Sequence, residues 1–364
     1  MALMDLKNMS PFEAENFVIS LGEKPFRARQ IRKWLFGCRI NDVTAMTDLS
    51  KDLRDRVRRK AYISRPNCLK VESAGDGARK FLWKLEDGAK IESVLIPERN
   101  HLTLCLSTQV GCAMGCRFCR TASLGLKRNL TQAEIINQVL GLGEVLSEEK
   151  GLKNIVFMGM GEPLANLKNV VGAIQVMSEP GLMGLSRRRM SLSTVGLVPE
   201  LARLAEQVTL GLTVSLNAPD DKTRDFLMPI NRRFPLAELH RALKVFPLPS
   251  RRMITIAYVL LAGVNDTLDH AKGLTRFLAG LRVKVNLVPF NTYPGAEFEA
   301  SDVETVAAFR DFLVKKHYTA IVRTSKGSDI SAACGQLAGG IESRAEKPDG
   351  SLIHLDNSSI SMIN

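Results

Sequence analysis

From about residue 100 the chain repeats one unit: a short apolar run rich in β-branched residues, a loop, then an amphipathic helical stretch. The runs are LTLCLS (102–107), NIVFM (154–158), RMSLS (189–193), LTVSL (212–216), ITIAYVLL (254–261), KVNLVP (284–289) and TAIVR (319–323). Stretches such as TQAEIINQVLGLGEVL (131–146) and DVETVAAFRDFLVKK (302–316) separate them. Strands alternating with helices call for an α/β fold with a parallel sheet and right-handed crossovers. Six or seven such units form a barrel, complete or partial, or an open doubly wound sheet. In either case the site lies beyond the C-terminal ends of the strands.

The unusual residues fall at those ends. Three of the seven cysteines, Cys112, Cys116 and Cys119, follow the first run in TQVGCAMGCRFCRTAS. GMGEP (159–163) follows the second run, STVG (193–196) the third, SLNAP (215–219) ends the fourth, and PFNTYPG (289–295) the sixth. Three thiols are one short of a structural zinc site or a plain electron-transfer cluster, whereas a reactive centre keeps one position open. No His, Cys or Asp closely follows Cys119 to complete a zinc set. GMGEP fails as a dinucleotide loop, because Leu164 stands where that fingerprint needs glycine. Of the other thiols, Cys38 and Cys68 read as buried core residues. Cys334, in GSDISAACGQLAGG (327–340), suits an exposed, mobile loop.

The segment before the repeats is helical and basic. SPFEAENFVISLG offers Ser10 as N-cap, Pro11 at the first helical position and Glu13 for a capping box, with Ala14, Phe17, Val18 and Leu21 on one face. EKPFRARQIRKWLFG turns Ile31, Trp34 and Leu35 inward and its basic residues outward, and a third helix covers SKDLRDRVRRKA. The first 70 residues hold 15 basic against 8 acidic side chains, a surplus of seven within a total of +12. That balance favours a polyanionic partner. A β-hairpin with a primed turn at Asp87-Gly88 spans 79–97. The expected organisation is a basic helical accessory domain (1–62), a hairpin linker (63–99), the repeat-bearing core (100–340) and a polar tail (341–364). With no export signal and no apolar run of about 18 residues, the chain reads as soluble and cytoplasmic.

The spacing C-x3-C-x2-C resembles that of the radical S-adenosylmethionine (SAM) superfamily. TLCLSTQVGCAMGCRFC, FMGMGEPLANL, SLSTVG, MPIN and AACGQLAG together resemble the RlmN/Cfr family of RNA methyltransferases, over residues 22 to about 340. The resemblance implies a partial (β/α) barrel of the radical SAM type. It implies a 4Fe-4S cluster on Cys112, Cys116 and Cys119, whose unligated iron takes SAM, and two SAM per turnover. Gly161, Glu162, Ser193, Ser215, Leu216, Asn217 and Asn291 are expected to line the SAM pocket. Asn217 stands where family members commonly carry His, so hydrogen bonding rather than proton transfer is expected there.

The implied substrates are an adenine of the peptidyl transferase centre in 23S rRNA and an adenine in tRNA. The C2 carbon is electron-poor, and polar methyl transfer does not suit it. The family instead places a methyl group from one SAM on the thiolate matching Cys334. A radical from a second SAM activates that methyl group for addition to the base, with Glu92 as proton acceptor. The thiolate matching Cys105 then frees the product, leaving a Cys105–Cys334 disulfide that cellular reductants reset. A low-potential electron donor of the flavodoxin or ferredoxin type and a monomeric state go with this reading. Lys24, Arg27, Arg29, Arg32, Arg58 and Arg59 are candidates for holding the RNA backbone. C8 methylation of the same rRNA adenine, and a zinc-containing RNA-binding protein without activity, are the alternatives. GEP with its proline and PFNTYPG favour C2.

Overall fold

The computed structural model describes residues 3–145 and 151–340; the polar tail expected at 341–364 lies outside them. Ten strands form one sheet: β1 (Asn67–Ser73), β2 (Arg79–Lys84), β3 (Lys90–Pro97), β4 (Leu102–Cys105), β5 (Leu152–Phe157), β6 (Met190–Thr194), β7 (Gly211–Ser215), β8 (Ile254–Leu260), β9 (Val283–Pro289) and β10 (Ala320–Val322). Their order in space is their order in sequence. The pairs from β1 to β4 are antiparallel and those from β4 to β10 parallel. A doubly wound sheet reverses its strand order at a switch point, and this one does not. The parallel part is therefore a barrel wound in one direction and left open, as a partial (β/α) barrel requires. Strand β8 shows why these runs form strands: its residues alternate strictly between buried and half-buried.

The expected linker is not a separate piece. Strand β3 pairs with β4 through Val94–Cys105 and Leu95–Leu104, so the hairpin continues the main sheet. Its turn also differs from a primed one, because Gly88 alone takes a positive φ (83°) while Asp87 does not. Strand β1, which no alternation announced, pairs with β2 around a bulge at Cys68–Lys70 and exposes most of its side chains.

Three helices, α1 (Pro11–Ser20), α2 (Phe26–Arg32) and α3 (Lys51–Lys60), pack on the sheet and share one continuous apolar core with it. Helix α1 begins with the capping box read from the sequence, Ser10 accepting from the Glu13 N–H and Glu13 from the Ser10 N–H. Helix α2 runs on into one π-turn, Lys33–Gly37, after which Cys38 is exposed rather than core. Polar groups join these helices to the barrel. The Lys7 ammonium, fully buried, donates to Ser64 O (2.8 Å) and to Asn137 Oδ1 (2.9 Å) of the next helix, α4 (Gln132–Val145).

Arg32 is a second such joint. It is 5% exposed and pairs with Glu179 at 2.8 Å, so it leaves the set of candidate RNA contacts: its face of α2 turns toward the barrel. Arg32→Ala is expected to cost roughly 1–3 kcal/mol, because Glu179 loses a charge-assisted partner. Chemical denaturation reads this effect. RNA affinity should stay unchanged, and a marked loss of affinity in a fully folded variant would return Arg32 to the contacts.

Candidate active site

The chain leaving β4 makes a short strand, Gln109–Gly111, which pairs antiparallel with Leu126–Asn129 and closes a loop over residues 112–125. Gly111 takes φ +77°, and a Cβ there would stand 1.8 Å from the Gly125 carbonyl oxygen, so only glycine fits. Cys112 and Cys116 are buried and Cys119 is half-buried. Met114, Leu227, Met228, Leu261, Phe290 and Phe298 pack with them and keep the loop dry. Loss of water pushes the Cys112 thiol up to about 12 and raises Cys116 and Cys119 as well. The three also act on one another electrostatically.

This donor set suits a cluster. Three soft thiols gather on one loop, sheltered from water, and none of the five histidines lies among them. Among the described residues no three of His, Cys, Asp and Glu converge as they do around a single ion. Thiols that each hold a different iron have no need to converge.

Arg224 is a member of the site that sequence reasoning missed. It is almost fully buried and its positive charge acts on Cys116. Burial pushes Arg224 down to about 10. Its guanidinium donates to Leu216 O (3.1 Å), Val195 O (2.7 Å) and Asn231 Oδ1 (2.8 Å), tying together the ends of β6 and β7 and the MPIN turn. Nothing in TRDFLMPIN separates this arginine from a surface one.

GMGEP folds back against the chain leaving β4. Gly159 donates to Leu106 O, and a Cβ on it would meet that carbonyl at 2.7 Å; Gly161 takes φ +99° against Gln109. Glu162 is buried, and its carboxylate accepts from the N–H groups of Leu164 (3.0 Å) and Val195 (2.9 Å). Burial pushes it up to about 7. Ser193 and Ser215 face each other from β6 and β7 with Oγ atoms 3.5 Å apart. Leu216 is fully buried just beyond β7. Asn217 takes a left-handed φ of 58°, which Asn tolerates well. Its Oδ1 accepts from the Val259 N–H (2.8 Å) and its Nδ2 reaches Met228 Sδ (3.2 Å), so it serves as a hydrogen-bonding strap. Asn291 Nδ2 donates to Cys334 O at 3.3 Å.

Cys105 is the last residue of β4 and is buried. Burial raises its thiol, and the nearby charge of Cys334 adds to that. Cys334 is the exposed residue of a segment whose neighbours Ala332, Ala333, Gln336 and Leu337 are buried. Protein nevertheless closes around its thiol closely enough to push it upward, against the pull of Arg323. The segment is anchored: Arg120 donates from its backbone to Gly335 O (2.8 Å) and Thr121 Oγ1 to Leu337 O (2.7 Å). Glu92 is no exposed hairpin carboxylate. It is 4% exposed, and its Oε2 accepts from the N–H groups of Ala338 (2.8 Å) and Gly339 (3.1 Å). Of the basic candidates, Lys24, Arg29, Arg58 and Arg59 are exposed, and Arg27 is half-exposed beside Glu23 at 3.7 Å.

Comparison with known proteins gives this arrangement a family. The Ribosomal RNA large subunit methyltransferase N-terminal domain matches residues 4–63, and the Radical SAM superfamily matches residues 106–273. The dual-specificity RNA methyltransferase RlmN of Geotalea uraniireducens is 51% identical over 342 residues, covering 94% of this chain and 98% of that relative. The protein of the same name from Geobacter sulfurreducens is 50% identical over 348 residues, covering 96% and 95%. The crystal structure of a radical SAM methyltransferase from Sphaerobacter thermophilus superposes with a TM-score of 0.86 at 39% identity, over 92% of this chain and 99% of that one. No helix among the described residues is long and apolar enough to cross a membrane. With identity near one half along almost the whole length, and a dry three-cysteine loop beyond the first parallel strand, the chain belongs to the RlmN family of radical SAM RNA methyltransferases.

Proposed function

We propose that this enzyme methylates carbon 2 of an adenine in 23S rRNA and of an adenine in tRNA, with Cys334 as methyl carrier and Cys105 as the thiol that releases the product. The observation that supports it most is the company Cys334 keeps. Its segment is tied to the cluster loop by Arg120 N donating to Gly335 O (2.8 Å), with Cys119 Cα 4.0 Å from where a Gly335 Cβ would stand. Cys334 also lies near enough to Cys105 to raise that thiol further. A carrier thiol needs both neighbours, one to be loaded and one to be unloaded. The relatives' description as dual-specificity RNA methyltransferases supports action on two kinds of RNA.

Cys112, Cys116 and Cys119 would each hold one iron of a 4Fe-4S cluster, which with SAM bound supplies reductive cleavage of SAM and the hydrogen-abstracting radical. Gly161, Glu162, Ser193, Ser215, Leu216, Asn217 and Asn291 would line the SAM pocket. Buried Glu162 offers a carboxylate to the ammonium of SAM, and the apolar wall of Met228, Leu261 and Phe290 excludes water. Cys334 then holds the RNA through a carbon–sulfur bond. Cys105 attacks the Cys334 sulfur, the methylated base leaves and a disulfide remains. Glu92 accepts the proton from the base carbon. Exposed Lys24, Arg29, Arg58 and Arg59 hold the phosphate backbone while the adenine is splayed out of its stack.

The test is the mass of the Cys334 peptide from enzyme produced with ample iron and SAM, together with nucleoside analysis of treated RNA. One additional methyl group on Cys334 and 2-methyladenosine in both RNAs are expected. An unmodified Cys334 in enzyme that still turns over would end the carrier reading, and 8-methyladenosine would end the C2 assignment.

A further inference from the structure

The open barrel has two free edges, β1 and β10, and the segment that carries Cys334 spans the gap between them. After β10 the chain turns back, and Lys326 Nζ donates to Pro97 O. Gly327 N donates to Asp76 Oδ2 (2.8 Å), and in return Gly75 N donates to Asp329 Oδ2 (2.9 Å), which clips the segment to the β1–β2 turn. Next, Lys80 on β2 donates from Nζ to Ile330 O at 2.6 Å. Finally Glu92 on β3 takes the N–H groups of Ala338 and Gly339.

Lys80 stands at the centre of this clasp. Its side chain is 9% exposed, and its ammonium lies 3.2 Å from Glu72 and 3.7 Å from Glu92. It therefore grips the segment on both sides of the thiol, directly at Ile330, four residues before Cys334, and through Glu92 at Ala338, four residues after. We propose that Lys80 is a positioning residue which fixes the Cys334 sulfur by holding both flanks of its segment. A carrier thiol must meet a methyl donor, a base and Cys105 in turn, and a misplacement of about 1 Å is enough to spoil such a sequence. A buried ammonium with one carbonyl and two carboxylates around it is preorganised for that task. Lys80→Met leaves the Ile330 carbonyl without its donor and Glu92 without its counter-charge. Lys80→Arg keeps both.

The inference rests on the carrier reading of Cys334 for its effect on turnover, but not for its effect on the thiol. Full-length enzyme is produced without added iron, so that Cys334 stays unmethylated, then reduced, and its cluster is reconstituted without SAM. It is then treated with iodoacetamide, and alkylation of Cys334 is followed by peptide mass, with exposed Cys38 as internal reference. Lys80→Met should raise the Cys334 rate about tenfold relative to Cys38, as expected when one charge-assisted hydrogen bond no longer holds the segment closed. Lys80→Arg should bring it back to within about twofold of wild type, as the restored charge predicts. RNA methylation should fall with Lys80→Met and recover with Lys80→Arg. An unchanged ratio of Cys334 to Cys38 in Lys80→Met would overturn the proposal, even with a lowered Tm. If Lys80→Met does not fold, Lys80→Gln, which removes the charge and shortens the reach to Ile330 while keeping a polar end, is assayed in its place. It should raise the Cys334 rate in the same direction, and an unchanged ratio there would overturn the proposal too. An unmethylated Cys334 in wild type produced with ample iron and SAM would sink the carrier reading alone, because the alkylation ratio still decides whether Lys80 holds the segment.

Discussion

Cys105→Ala is expected to leave the enzyme covalently joined to its RNA. The thiol sits at the end of β4, buried, within electrostatic reach of Cys334. In the proposed sequence it is the nucleophile for the carbon–sulfur adduct. Cys334 raises the Cys105 thiol, and Cys119, which also lies near Cys334, belongs to the cluster loop. Removing Cys105 therefore spares the steps that build the adduct and blocks the one that resolves it. Multiple turnover should fall on the order of a thousandfold or more, as for other lost nucleophiles. A slowly migrating, ribonuclease-sensitive band should appear on denaturing gels, and it should vanish in the Cys105→Ala, Cys334→Ala double variant. If Cys105→Ala turns over freely with no adduct, release follows another route.

The second large effect concerns Cys112, Cys116 and Cys119. Replacing any one with alanine should abolish the cluster and with it SAM cleavage, read from the iron content and from the yield of 5′-deoxyadenosine. The wild-type thiols allow a finer test. Burial raises all three, Cys112 to about 12, so in the metal-free protein at neutral pH they carry protons. Metal uptake must release those protons, and apparent affinity therefore rises with pH. The sign follows from pKa values above the working range: three protons released mean up to about a thousandfold gain in affinity per pH unit. Chemical reconstitution should be poor near pH 7 and much better toward pH 8.5, with three protons released per cluster in unbuffered titration. Uptake independent of pH would mean that the thiols are already ionised.

The parts of this molecule legible in its sequence are those that repeat or need a particular local geometry. Seven parallel strands and their C-terminal loops follow from periodicity. The capping box of Ser10 and Glu13 follows from the hydrogen-bonding needs of one turn. The cysteine spacing points to a cluster because few other chemistries want three thiols within eight residues. Features that depend on distant partners stay hidden. Strand β1 has a polar, mostly exposed pattern, and only its pairing with β2 makes it a strand. Arg32 and Arg224 read as surface charges, because the carboxylate and carbonyls that bury them come from other elements. Nothing local to Glu92 announces its burial, which comes with the backbone N–H groups of Ala338 and Gly339, 246 and 247 residues further along the chain.

That separation has a consequence for how the protein is made. The clasp joins residues 229 to 254 positions apart, the widest hydrogen-bonded separations among the described residues. Contacts of such separation form late, because the intervening chain must be ordered before closure is rewarded. During synthesis the clasp also has to wait until residues 326–339 have followed the whole barrel out of the ribosome. Cys334 is thus expected to reach its place only after the strands and loop that carry Cys105, Cys112, Cys116 and Cys119 have formed. The contacts that set Cys334 beside the cysteine loop, Arg120 N to Gly335 O and Thr121 Oγ1 to Leu337 O, belong to that same late closure.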